Sequence, residues 1–216
     1  MTRRSKRKAA ENLGYMLIAD GENEQWYLEL LKDYYTLKIK ITPHLAHSLS
    51  IKSQYELVRK SISDGYEHVI WILDIDQVIK EYRESKDGKE FSTFKNLYIN
   101  AVGKQEWGDK LTIIVNNPCL EYWYFLHKNP TSTKYFGTYE ELLKDLKTFT
   151  IDKRLFSCYD KKENEDYRAG EGLYKKLLPY LKKMKFSKLK AFDIEECDCE
   201  SVSEMYKLFN VLQIRP

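Results

Sequence analysis

The sequence predicts an α/β fold, with a parallel four-stranded sheet flanked by helices and a helical C-terminal extension behind it. Three observations predict it. Apolar runs of strand length at residues 15–19 (Tyr-Met-Leu-Ile-Ala), 69–73 (Val-Ile-Trp-Ile-Leu) and 111–115 (Leu-Thr-Ile-Ile-Val) are nearly continuous, as in strands covered on both faces. Segments with apolar residues at helical spacing lie between them, so that strand and helix alternate along the chain. Past residue 137 the pattern turns to helices joined by polar links.

In order, residues 1–13 form a basic arm, expected to be disordered, 14–130 the α/β core and 131–216 the extension. The first strand is bounded by Gly14 and by Asp20-Gly21. From Glu24 to about Leu37, Tyr27, Leu28, Leu31, Tyr34 and Tyr35 recur at helical spacing. Lys38-Ile39-Lys40-Ile41-Thr42 alternates as a second strand, stopped by Pro43, and residues 50–64 return to a helical period. The strand at 69–73 ends on Asp74-Ile75-Asp76. A polar loop around 84–90 precedes a helix from about Ser92 to Val102. After the strand at 111–115 come Asn116-Asn117-Pro118, where Asn117 suits a helix cap and Pro118 the first helical position. The helix expected from Cys119 to His127 is apolar nearly all round, which implies deep burial with Glu121 inside it. That carboxylate is either bonded to neighbouring backbone or basic groups, or drawn to a metal. Helices are expected at 138–148, at about 171–185 and from about Ser201 to Leu212, the last with Val202, Met205, Leu208 and Phe209 as its packing stripe.

Composition narrows the function classes. The chain has 216 residues, enough for a full domain with a substantial core, and is 43% hydrophobic and 32% charged. It has no run of about 18 apolar residues to span a bilayer, and no apolar segment follows the basic N-terminus, so neither a membrane span nor a secretory signal is expected. Net charge is +3, but Arg3, Arg4, Lys6, Arg7 and Lys8 carry more than that, and the rest of the chain is net acidic. Cys119, Cys158, Cys197 and Cys199 form no CxxC pair, consistent with a reducing cytoplasm. Cys197-x-Cys199 and His44-x-x-His47 each offer two ligands far apart in sequence, so no zinc site is expected.

The chemistry sits in the acids. Asp20, Glu22 and Glu24 crowd the turn after the first strand, and Asp74 and Asp76 follow the third. Ligands in parallel α/β sheets bind at the carboxyl ends of strands, so these groups and the Asn-Asn-Pro segment belong to one edge. Carboxylates so placed either satisfy first-turn helix N–H groups or share a positive partner. Hard oxygen ligands select Mg2+ or Mn2+, and such ions can serve phosphodiester hydrolysis. Seven lysines between Leu173 and Lys190 (175, 176, 182, 183, 185, 188 and 190), with no acid among them, are a solvated face or a phosphate-contacting strip. Lys175, Lys176, Lys182 and Lys183 are the nucleic-acid-binding candidates.

The order of an acidic glycine turn after the first strand and Asp-x-Asp after the third resembles the Toprim domain of topoisomerases, primases and OLD-family nucleases. Ala19-Asp20-Gly21-Glu22-Asn23-Glu24-Gln25-Trp26-Tyr27, Ile72-Leu73-Asp74-Ile75-Asp76 and Asn117-Pro118-Cys119-Leu120-Glu121-Tyr122-Trp123 together resemble the RloB family of bacterial defence proteins. The likeness is strongest over residues 14–128. It implies a Toprim/Rossmann-like sheet and a Mg2+-dependent (or Mn2+-dependent) nuclease. The family acts in anti-phage abortive infection on cellular RNA or DNA, often beside an ABC-type ATPase. It implies Asp20, Glu24, Asp74 and Asp76 as catalytic metal ligands, with Glu22 a reserve or second-ion ligand. Asn117 and Glu121 are possible supporting residues behind these ligands. Lys161, or Lys162 beside it, is the candidate cation for transition-state charge. Asp20 stands where the Toprim pattern has Glu, one methylene longer. Either the ion sits closer to the turn, or Glu22 takes the duty, or catalysis is impaired.

Other readings compete. A topoisomerase needs gate domains that 216 residues do not accommodate. A receiver-like phosphoacceptor shares the acid cluster but not Asp76 or the long Asn-Pro helix. A regulatory partner of a defence ATPase would bind a metal or nucleotide in the same cleft without cutting. The sequence specifies no oligomeric state.

Overall fold

A computed structural model describes residues 14–19, 21–45, 49–84, 88–148, 178–197 and 199–216. The elements are β1 (Tyr15–Ala19), α1 (Glu22–Tyr34), β2 (Ile41–Leu45), α2 (Ile51–Asp64), β3 (His68–Asp74), α3 (Asp76–Glu84), α4 (Lys89–Gly103), β4 (Leu111–Asn117), α5 (Glu121–Lys128), α6 (Tyr139–Thr148), β5 (Val202–Ser203) and α7 (Tyr206–Val211). The fold is α/β, with one five-stranded sheet in the order β2-β1-β3-β4-β5. The first four strands pair in parallel and β5 joins β4 antiparallel, Asn116 opposite Ser203 and Asn117 opposite Val202.

Alternation along each strand builds two cores. Leu17, Ala19, Ile70, Ile72 and Ile114 point to one face, where they meet Leu28 and Leu31 of α1, the aromatic side of α5, Leu142 and Leu146 of α6, and Leu208 and Phe209 of α7. Ile18, Val69, Trp71, Leu73, Ile113 and Val115 point to the other, against Val58 of α2, Val78 of α3 and Phe94 of α4. Covering both faces is what makes the strands read as unbroken apolar runs. Trp71 is fully buried, and its Nε1 donates to Oε1 of buried Gln54 on α2 at 2.9 Å, so its one polar atom is satisfied. Helix α2 is closed at both ends: the Ser50 side chain accepts from Ser53 N, and Gly65 at φ 91° supplies the left-handed C-cap. Gly14, at φ +66°, sits where the chain crosses Lys40; a Cβ there would come within 2.5 Å of the Lys40 carbonyl oxygen. That carbonyl accepts the Tyr15 N–H at 2.8 Å and fastens β1 next to β2.

Four expectations are corrected. The sheet has a fifth strand, and it comes from the region expected to be helical: the terminal helix does not start at Ser201, because Val202 and Ser203 are strand and the helix covers only Tyr206–Val211. Pro43 does not stop the second strand but lies within it, opposite Leu17. The strand is at the sheet edge, where a residue without an N–H is tolerated. Asn117 does not cap a helix, since Asn116 and Asn117 are the last residues of β4; the Asn117–Pro118 peptide is cis. Helix α5 accordingly starts at Glu121 and not at Cys119.

The C-terminal segment is integral to the core. Leu181, Met184, Met205, Leu208, Phe209, Leu212 and Ile214 are all buried in the first of the two clusters. Its polar lock is Glu204, 2% exposed: the carboxylate accepts from Val115 N at 3.3 Å, from Phe192 N at 3.1 Å and from Lys207 Nζ at 2.8 Å. Lys207 Nζ also donates to the Ile113 carbonyl at 3.0 Å.

Candidate functional site

The carboxyl ends of β1, β3 and β4 lie side by side in the sheet, and each carries one part of the sequence pattern. Asp20 follows β1 directly, Asp74 ends β3 and Asn116-Asn117 end β4. Asp20 itself lies outside the described residues, as do Lys161, Lys162, Lys175 and Lys176 and the basic arm 1–13; of Glu22 only the backbone, the first residue of α1, is described.

Glu24 is 4% exposed and folds back over the acidic turn, where Oε2 accepts the Gly21 N–H at 3.0 Å. A Cβ at residue 21 would lie 3.3 Å from that oxygen, so the turn is tight around a glycine. The carboxylate thus satisfies an N–H at the start of α1, the structural duty such a residue commonly has.

Asp74 sits in parallel register with Asn116. Its Oδ1 accepts from Asn116 Nδ2 at 3.0 Å and its Oδ2 from the Leu120 N–H at 3.3 Å. The backbone continues the pairing past the strands: Ile75 N donates to Asn116 O at 3.1 Å and Asp76 N to Pro118 O at 3.2 Å. This fastening holds the Asp-x-Asp turn against the Asn-Pro segment.

Asp76 opens α3, its Oδ1 accepting the Gln77 N–H at 2.7 Å. Burial lifts its carboxyl above the ordinary value; the Gln77 bonds and Lys80 work against that, while Glu140 at the start of α6 adds repulsion. Glu121, the first residue of α5, is also pushed up, chiefly by burial and further by Asp76, against a hydrogen bond with Cys119. Burial likewise pushes the Cys119 thiol well above its usual range, reinforced by Glu121 and Asp74. Tyr139 is raised by burial and then by Glu121, Cys119 and Glu140. Asp74, Asp76, Glu121 and Glu140 therefore form one region of negative charge, on which Lys80 and Lys144 act from among the described residues.

Asn117 turns away from the acids. Its Nδ2 donates to the carbonyls of Cys197 at 2.6 Å and Glu200 at 2.5 Å and so ties the end of β4 to the C-terminal segment. Lys182 and Lys183 are exposed, between the buried Leu181 and Met184, so they face solvent as the strip reading requires.

The sequence reading set the Asn116-Asn117-Pro118 segment at the edge of the acids without giving Asn116 a role there, and it missed Tyr139, Glu140 and Ser203. Parallel register could have found Asn116, since a polar residue ending the strand beside Asp74 lands against it. Ser203 carried no such signal, because its strand has two residues.

A donor set of crowded, partly desolvated carboxylates suits a hard divalent cation, and the upward shifts of Asp76 and Glu121 are those a cation would reverse. Among the described residues no group of three His, Cys, Asp or Glu closes on one point. Asp20 and the Glu22 side chain, which belong to the expected ligand set, lie outside the described residues. Among the described residues, no helix is long and apolar enough to cross a membrane.

No curated protein and no solved structure matches the chain. The family model for RloB-like protein matches residues 15–212, which takes in every strand and helix described above, and the chain belongs to the RloB-like family.

Proposed function

We propose that this RloB-like protein is a Toprim-type, Mg2+-dependent or Mn2+-dependent nuclease that hydrolyses phosphodiester bonds of RNA, tRNA included, or of DNA. On this reading it works in the bacterial cytoplasm, in anti-phage defence, beside an ABC-type ATPase. The observation that supports the reading is the adjacency of β1 and β3 in a parallel sheet: the acidic turn follows one and Asp74-Ile75-Asp76 ends the other, and ligands of parallel α/β sheets bind at the carboxyl ends of strands.

Asp20, Glu24, Asp74 and Asp76 would hold the cation, with Glu22 in reserve and Glu121 behind them. When bound, the cation supplies Lewis-acid charge against the negative charge that builds on the phosphoryl oxygens. Asp74 is presented as an oriented acceptor by Asn116 and the Leu120 N–H. Burial lifts the carboxyl groups of both Asp76 and Glu121, which favours their protonated form when no cation is bound. Lys161 is the proposed cation for charge on the scissile phosphate, and Lys182 and Lys183 with Lys175 and Lys176 the proposed contacts along the nucleic-acid backbone.

The test is incubation of the purified protein, with and without the ATPase, on tRNA, other RNA and DNA in the presence of Mg2+ or Mn2+. Cleavage that disappears in Asp74→Ala and Asp76→Ala supports the reading; no product under any condition, or cleavage unchanged in both variants, overturns it. A second reading, a non-catalytic metal-binding or nucleotide-binding partner of the ATPase, is favoured by the shorter Asp20. It predicts a cation-dependent rise in melting temperature, lost in Asp74→Ala, without cleavage.

A further inference from the structure

We infer that Asn116 and Ser203 are positioning residues for Asp74, with Ser203 delivered from the far end of the chain to fix which way the Asn116 amide faces. The inference rests on the proposal that Asp74 is a metal ligand, and its geometry stands apart from it.

Asn116 is fully buried and Ser203 is 1% exposed, so neither side chain has water to fall back on. The two residues are direct partners across the antiparallel β4–β5 pair. Ser203 Oγ accepts from the Met205 N–H at 3.4 Å and donates its own hydrogen to Asn116 Oδ1 at 2.7 Å. With Oδ1 thus assigned as the accepting end, the amide nitrogen must face the other way, and there it donates to Asp74 Oδ1 at 3.0 Å. Each link has one direction: amide N–H to hydroxyl, hydroxyl to carbonyl oxygen, side-chain N–H to carboxylate. A flipped Asn116 would set its oxygen against the carboxylate and leave the Ser203 hydrogen facing an N–H donor. Two mismatched polar contacts in a buried site are enough to hold one orientation.

The relay also fixes what Asp74 presents. Asn116 and the Leu120 N–H each bond one of the two carboxylate oxygens and so set the plane of the carboxylate. Partners that orient a ligating carboxylate affect metal affinity without touching the metal. Ser203 lies 87 residues beyond Asn116 in sequence, so the docking of the C-terminal segment fixes the Asn116 end of the hold on Asp74.

The experiment compares wild type with Ser203→Ala, Ser203→Thr and Asn116→Ala. The side-chain amide protons of Asn116 are followed by NMR hydrogen exchange, assigned by their loss in Asn116→Ala, and Mn2+ and Mg2+ affinities are measured by calorimetry. Expected in Ser203→Ala are faster exchange of the Asn116 amide and divalent-cation binding weakened about tenfold. Metal-free melting should stay close to wild type, and Ser203→Thr, which keeps the hydroxyl, should restore both readouts. Asn116→Ala should weaken cation binding at least as much, and it decides the matter if Ser203→Ala does not fold. Unchanged amide exchange in Ser203→Ala, or wild-type cation affinity in both alanine variants, overturns the inference. If wild type binds no divalent cation, the nuclease reading fails. The relay is then judged by amide exchange alone, which must quicken in both Ser203→Ala and Asp74→Ala for it to stand.

Discussion

Trp123 Nε1 donates to the Tyr27 hydroxyl at 2.8 Å, joining two side chains that are at most 1% exposed. One belongs to α5, which follows the Asn-Pro segment, the other to α1, which follows the acidic turn. The bond spans the two halves of the candidate site beneath its floor. In Tyr27→Phe the indole N–H loses its partner in a dry core, at a cost of about 1–3 kcal/mol. Urea denaturation should show a lower midpoint with an unchanged slope. The double variant Tyr27→Phe/Trp123→Phe should lose less than the sum of the singles, because the unpaired donor is then gone.

The legible part of this fold was the part written in local pattern. The strands at 15–19, 69–73 and 111–115 are covered on both faces and so carry continuous apolar runs, and their carboxyl ends place Asp74 and the Asn-Pro segment together without further information. Strand β5 was not legible because Val202, Met205, Leu208 and Phe209 sit at helical spacing. All four are buried, yet the first belongs to a two-residue strand and the others to the helical turns that follow. Asn117-Pro118 reads as a cap and first helical residue on local grounds. The partners that claim the Asn117 side chain, the carbonyls of Cys197 and Glu200, lie about 80 residues downstream and leave no trace in its neighbours. Pro43 misled for a similar reason, since whether a proline ends a strand depends on that strand's place in the sheet.

Asp76 gives a prediction in which removing a carboxylate stabilises. Its carboxyl is lifted above the ordinary 3.8 by burial, so the folded state holds the proton more tightly than the unfolded chain. The contribution to stability is then fully present below 3.8 and is lost as pH rises through the folded value. Asp76→Asn removes that loss and keeps an oxygen for the Gln77 N–H. At neutral pH without divalent cations it should melt above wild type. Added Mg2+ should raise the wild-type melting temperature and leave the variant unmoved; the reverse pattern would contradict the assignment of Asp76 to a cation site.

The Glu204–Lys207 lock predicts a large loss from a single truncation. Lys207→Ala leaves the Glu204 carboxylate, 2% exposed, with only the N–H groups of Val115 and Phe192. Breaking a buried pair on one side costs about 3–5 kcal/mol, and roughly 3 applies here because Lys207 is itself 30% exposed. Equilibrium denaturation measures it directly. Glu204→Gln/Lys207→Met, which removes both charges, should recover much of the loss. Because this lock seats β5, Lys207→Ala should also quicken exchange of the Asn116 side-chain amide.

His127 sets a pH dependence opposite in sign to that of Asp76. It is 2% exposed, its Nδ1 donates to the Trp123 carbonyl at 2.7 Å, and its Nε2 has no hydrogen-bond partner among the described residues. A protonated Nε2 would be a buried donor with nothing to receive it, and burial accordingly lowers the pKa from 6.5 to about 4. In the unfolded chain the ring takes up its proton near 6.5, so between about 4 and 6.5 the unfolded state binds more protons. Stability is therefore fully present above 6.5 and falls as the pH drops through that window, by roughly 3 kcal/mol in all. His127→Phe, which fills the same apolar space without a titrating group, should flatten the stability profile between pH 6.5 and 4 and leave its high-pH limb in place. Asp76→Asn should instead remove a decline that begins near 3.8 and deepens as the pH rises, so the two variants bend opposite limbs of one curve. Urea midpoints taken every half pH unit for wild type and both variants separate the two contributions.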